Sequence, residues 1–127
     1  MSIDHIKLSQ TAKDQLIRLK RKTGIEHWNV LCRWAFCVSL AEDSIPPIAK
    51  IPADSNVEMS WKVFGGQHAE LYLALLKERL LRDDLPVDAE TLGVQFRLHL
   101  HRGIAYLAGN RSLSKIDDLI RLAVPAA

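Results

Sequence analysis

Near the start of the chain, Ile6 and Leu8 alternate with His5, Lys7 and Ser9, the period of two expected of a short half-buried strand. The period then lengthens. Ala12, Leu16 and Leu19 recur at helical spacing with Ile17 beside them, Ser9 can serve as N-cap, and Gly24 is a suitable terminator. A first helix is therefore expected from Ser9 to about Thr23. After a tight turn, Trp28, Leu31, Cys32, Ala35, Phe36 and Leu40 form a broad apolar face, widened by Trp34 and Val38. They predict a second helix from about His27 to Glu42.

Further along, "DSIPPIAKIPADS" holds three prolines and reads as a surface loop. Val57, Met59, Trp61 and Val63 alternate again, which predicts a second strand or extended arm ending at Gly65-Gly66. The next helix, about Gln67 to Arg82, is apolar nearly all round through Leu71, Leu73, Ala74, Leu75 and Leu76. Such a helix is expected to be covered on more than one side, by the core and by another subunit. Asp88 can cap a longer helix running to about Ala108, with Leu92, Phe96, Leu100, Ile104 and Leu107 as its stripe and Gly109-Asn110 as its stop. Gly93 and Gly103 inside it cost about 1 kcal/mol each relative to alanine, so close helix–helix approach is expected at both. A short last helix starts at Ser112 or Ser114 and reaches Leu122.

The pattern defines a mainly α fold: one domain over residues 1–127, with about five helices and one or two short strands. Residues 1–45 form a strand–helix–helix segment, 46–66 a Pro-rich loop and extended arm, and 67–123 a helical segment. A strand as short as 5–9 is not stable unpaired. Its partner is either residues 57–63 or the same strand of a second chain. The second arrangement would be a ribbon-helix-helix dimer, with His5, Lys7 and Ser9 facing DNA and the start of the second helix, near Gly24–Trp28, turned toward a phosphate.

Composition adds little until charge is mapped. A chain of 127 residues, 48% hydrophobic and 25% charged, can bury a core without disulfides or metal. No apolar run approaches the roughly 20 residues of a membrane span, and Asp4, His5 and Lys7 break up any signal peptide. Cys32 and Cys37 sit about 140° apart on a helix, so they cannot bond each other. They are expected as buried small hydrophobes in a reducing cytoplasm. The net charge of +2 is unevenly spread. Residues 1–25 carry Lys7, Lys13, Arg18, Lys20, Arg21 and Lys22 against Asp4 and Asp14, a net +4, whereas residues 26–76 carry a net −3.

The candidate chemistry is sparse. His99 and His101 resemble a metal pair, but an i, i+2 spacing on a helix turns them apart. "FGGQ" lacks the Lys-Ser/Thr of a phosphate loop and reads as a helix entry. Asp117 and Asp118 suit the positive end of the last helix. No nucleophile, base and orienter assemble, and no metal or cofactor is implied.

The basic helix is the remaining feature. Asp14, Arg18 and Lys22 follow at i+4 steps, an expected ladder of ordinary surface pairing. Lys13, Lys20 and Arg21 have no acidic neighbour one turn away. A solvated helix face accounts for this as well as a polyanion partner does.

The extended text "IKLSQTAKDQLIRLKRKTGIEHWNVLCRWAFCVSL", the "FGG" before an apolar helix, and "LHLHRGIAYLAG" resemble the DndE family of DNA phosphorothioation proteins over about residues 5–122. The resemblance implies a cytoplasmic bacterial protein of the system that replaces a non-bridging phosphate oxygen of DNA with sulfur. It further implies a homotetramer with lysine-rich surface that favours nicked duplex. The implied partner proteins are a cysteine desulfurase, an iron–sulfur ATP-pyrophosphatase-like enzyme and an ATPase. On charge and helical position, and not on family motifs, Lys13, Lys20, Arg21 and Lys22 are the first candidates for phosphate contact, with Lys7 and Arg18 next. Two rivals stand beside a DNA-binding accessory subunit. One is a protein-interaction subunit with little DNA affinity of its own; the other is a metal-dependent nickase assembled only in the oligomer.

Overall fold

The computed structural model describes residues 5–123. Its elements run β1 (His5–Lys7), α1 (Gln10–Thr23), α2 (Trp28–Ala41), β2 (Glu58–Ser60), α3 (Trp61–Gly65), a single 3-10 turn (Gly66–His68), α4 (Ala69–Arg82), α5 (Ala89–Gly109) and α6 (Ile116–Ala123). The mainly helical architecture expected from the periodicity is present.

β1 finds its partner within its own chain. It pairs antiparallel with β2, His5 opposite Ser60, Ile6 opposite Met59 and Lys7 opposite Glu58. The strand–helix–helix order at the start is therefore closed by residues some fifty positions later. Ile6 and Met59 point into the core while His5, Lys7 and Glu58 face outward. Ser9 departs from the expected alternation. It is buried, and its side chain accepts from Ala12 N–H at 3.0 Å as the cap of α1. Ser55 reinforces the junction, its hydroxyl donating to the Leu8 carbonyl at 2.6 Å.

The arm expected to continue through Val63 stops at Ser60. The Ser60 hydroxyl accepts from Val63 N–H at 3.1 Å and turns Trp61–Gly65 into a helix. That turn drives Phe64 inward, where it meets Phe96 edge-on with ring centres 5.0 Å apart and packs beside Phe36 and Trp61. An alternating pattern of four apolar residues looked like a strand; a local hydroxyl cap overrides it.

α5 is the central element, with Leu92, Phe96, Leu100, Ile104 and Leu107 all buried, and Asp88 caps it by accepting from Thr91 N–H at 2.8 Å. It packs most closely on α2. At Gly103 the backbones touch: an added Cβ would collide with the Ala35 carbonyl. Gly93 differs from expectation, since nothing lies within 4 Å of the same added atom. α4 turns Leu76 and Leu80 inward, while Leu71, Leu75 and Leu81 are 54%, 38% and 64% exposed. In the single chain, α4 is thus covered on one side. Cys32 is buried, and burial pushes its thiol up to about 12, but Cys37 is exposed rather than buried.

Two arginines close the C-terminal end of α2. Arg79 is only 3% exposed, pairs with Asp83 at 2.8 Å and donates to the carbonyls of Leu40, Asp43 and Ser44. Arg102 donates to the Ser39 carbonyl at 2.8 Å and to the Ser44 carbonyl at 2.9 Å. Carbonyls at a helix C-terminus have no partner within the helix, and cations satisfy them best.

Candidate nucleic-acid interface

α1 exposes its charge because its other face is occupied. Ala12, Leu16, Leu19 and Thr23 are buried, so the remaining positions must face outward. At 100° per residue, Lys13 and Lys20 fall on one flank, Arg18 and Lys22 on the other, and Arg21 is outermost. Gly24, at φ 76°, ends the helix by donating its N–H to the Lys20 carbonyl at 2.9 Å. The last turn thus gathers Lys20, Arg21 and Lys22 where the helix dipole is negative. That placement stabilises the helix irrespective of any ligand.

Each candidate has a distinct setting. Arg18 and Arg21 are exposed; Lys13, Lys20 and Lys22 are half-buried. Lys13 Nζ donates to Asn56 Oδ1 at 2.6 Å, tying it to the segment that leads into β2. Lys20 Nζ lies over the Trp28 ring, 3.4 Å from its centre, in a cation–π contact that bridges the turn between α1 and α2. Lys7 stands apart on β1 with Glu58 opposite, and His5 Nδ1 approaches the Glu58 carboxylate at 3.7 Å. The Glu58 charge weakens the positive potential there. The expected Asp14–Arg18–Lys22 ladder is not formed; Asp14 Oδ1 instead accepts from Gln10 Nε2 at 3.0 Å. Among the described residues, none of the six candidates makes an ion pair.

Other arginines are spent differently. Arg33 donates to the carbonyls of Phe64 and Val63, and Arg97 to those of Ile51 and Lys7. With Arg79 and Arg102, these four fasten loops and helix ends. The cations of α1 are the ones left facing solvent as a group. Sequence reasoning missed Asn56 and Trp28 as organisers of Lys13 and Lys20. It also missed Asp54, whose carboxylate accepts from Gln10 N–H at 2.8 Å at the start of α1. Only Trp28 carried a signal, as an aromatic just beyond a Gly turn. The N-terminus of α2 has His27 as its cap residue with no side-chain hydrogen bond to its amides.

The two suspect histidines face apart. His101 Nε2 accepts from Ser9 N–H at 3.2 Å, so its proton is on Nδ1, which donates to the Arg97 carbonyl at 2.8 Å. His99 is fully buried, bonded to Ser39 at 2.8 Å, and burial with Arg79 and Arg102 nearby lowers its pKa to about 4. Both are structural. Among the described residues, no helix is long and apolar enough to cross a membrane.

Fold and site together define a small, mainly helical domain whose outward cations are concentrated on one helix beside a two-stranded ribbon. The family model for the DNA sulphur modification protein DndE matches residues 5–115, and the chain belongs to the DndE family, whose members serve DNA phosphorothioation. The crystal structure of DndE from Escherichia coli B7A, described as involved in DNA phosphorothioation modification, superposes with a TM-score of 0.69 at 25% identity, over 84% of this chain and 98% of that one. A second crystal structure, of a DndE mutant with glycines replaced by lysine, gives a TM-score of 0.65 at 22% identity, over 85% and 99% of the two chains. No curated protein matches the chain.

Proposed function

We propose that this chain is a non-catalytic accessory subunit of the phosphorothioation machinery that binds duplex DNA through its backbone. Lys13, Lys20, Arg21 and Lys22 make the main phosphate contacts, with Arg18 and Lys7 at the margins. The observation that carries this reading is the division of labour among the cations. Arg33, Arg79, Arg97 and Arg102 are bound to carbonyls inside the molecule, whereas the α1 cations face out without acidic partners.

Lysine and arginine contacts to phosphate are strong in aggregate and blind to base sequence. A preference for nicked duplex then follows from shape and flexibility, since a nick lets the backbone bend toward a convex cationic helix. A homotetramer would present the net +4 of residues 1–25 four times and would cover the exposed leucines of α4. The protein partners on this reading are the cysteine desulfurase, the iron–sulfur ATP-pyrophosphatase-like enzyme and the ATPase of the system.

The test is a titration of the purified protein against intact and singly nicked duplexes of one sequence at several salt concentrations. Tight, steeply salt-dependent binding that prefers the nick and weakens on Lys20→Ala with Arg21→Ala supports the proposal. Weak binding without salt slope or preference overturns it. The exposed Leu71, Leu75 and Leu81 favour a second reading, a subunit that chiefly holds the modification proteins together. Partner binding that survives charge reversal at Lys20, Arg21 and Lys22 would select it.

A further inference from the structure

Two polar side-chain atoms are buried without a hydrogen-bond partner among the described residues: Gln95 Oε1 and His99 Nε2. They lie one helical turn apart on α5, at i and i+4, which places both side chains on the same face. Gln95 is 7% exposed and His99 fully buried. An unpaired buried polar atom costs about 1–3 kcal/mol, so two side by side call for a common explanation.

The protons on this face can be assigned from the bonds around Ser39. Arg102 Nε donates to Ser39 Oγ at 2.8 Å. The one other partner of that hydroxyl is His99 Nδ1, also at 2.8 Å. Arginine can only donate, and on the buried Ser39 the hydroxyl's one proton has no acceptor within reach other than His99, so the arrangement that satisfies every group makes Nδ1 the acceptor. A neutral imidazole that accepts at Nδ1 carries its hydrogen on Nε2. His99 therefore presents a donor beside the acceptor Oε1 of Gln95. The charged groups around the ring are Arg79, Arg102 and Asp83. Asp83 is held by Arg79 Nε at 2.8 Å.

We infer that the core holds one ordered water molecule between His99 and Gln95, accepting from Nε2–H and donating to Oε1. Neither atom is hydrogen-bonded to the other, and two polar partners are the fewest that hold a buried water. The water extends a hydrogen-bonded chain from Arg102 through Ser39 and His99 to Gln95. It joins the clamp on the end of α2 to the middle of α5. The site is distinct from the cationic face of α1, and the two readings stand or fall separately.

Heteronuclear NMR of the full chain, labelled with nitrogen-15, tests it. The expected spectrum shows His99 protonated on Nε2, with a cross-peak from that proton to a long-lived water. Gln95→Met should abolish the water cross-peak while leaving the tautomer in place. A proton on Nδ1, or an Nε2 proton with no water contact in the unmodified protein, overturns the inference. The wild-type spectrum decides this by itself should Gln95→Met fail to fold.

Discussion

Gly103 of α5 lies against the backbone of Ala35 in α2, so near that even a methyl side chain would collide with the Ala35 carbonyl. This approach lets the two helices seal Phe36 and Phe96 between them, with ring centres 5.2 Å apart. Gly103→Ala is expected to cost at least about 2 kcal/mol, since a backbone carbonyl cannot swing aside as a side chain can. Gly93→Ala, in the same helix, meets no atom and should gain about 0.5–1 kcal/mol from the unfolded chain. Denaturant unfolding of both variants measures the contrast. Equal effects would show that the contact at Gly103 is not what the geometry indicates.

Arg79 should be among the least replaceable side chains in the molecule. Arg79→Met strands a buried Asp83 carboxylate, frees the carbonyls of Leu40 and Asp43, and leaves that of Ser44 only its bond from Arg102. The expected loss is about 3–5 kcal/mol, the range for removing one partner of a buried pair. Arg82→Ala, which breaks an exposed contact to Asp43, should cost under about 1 kcal/mol. Thermal unfolding separates the two.

Stability should fall on the acid side for a reason that names one residue. His99 titrates at about 4 in the folded chain, against an ordinary value of 6.5. The unfolded chain therefore takes up the proton first. Stability is fully present above about pH 6.5 and declines as pH falls from there to about 4, by roughly 3 kcal/mol in total. His101, lowered by burial as well, adds a contribution of the same sign. His99→Asn should flatten this limb in a series of denaturation curves taken between pH 7 and 4. An unchanged slope would reassign the effect.

The DNA reading makes a prediction in the salt dependence. Each lost phosphate contact should lower the slope of log K against log salt by about 1. Arg21→Ala and Lys22→Ala are each expected to show that drop with little preference among sequences. Lys7→Ala, beside Glu58, should show a smaller one. Fluorescence anisotropy from low to moderate salt provides the measurement.

The apolar stripes made much of the fold legible. Ala12, Leu16 and Leu19, the Asp88 cap and the Leu92-to-Leu107 stripe all lie where period and capping rules put them. Trp61–Gly65 was misread because Ser60 caps a turn where the apolar alternation continues unbroken, and alternation cannot register a hydroxyl. Cys37 and Gly93 were misjudged for a related reason. Position on a helix says which residues share a face, but not how far a neighbouring helix extends over it. At the candidate interface the identities of the cations were plain from charge alone. Their settings, Lys20 over Trp28 and Lys13 on Asn56, depend on contacts across a turn and a long loop.

The pairing of His5–Lys7 with Glu58–Ser60 also bears on how the protein is made. A ribosome delivers about 5–20 residues per second, so the first strand waits several seconds for its mate. During that interval Leu8, Leu16 and Leu19, later fully enclosed, have only α2 to shelter against. The nascent amino-terminal segment thus carries uncovered apolar side chains on a positively charged stretch before it is part of a finished domain, and that interval is a window for chaperones to hold it.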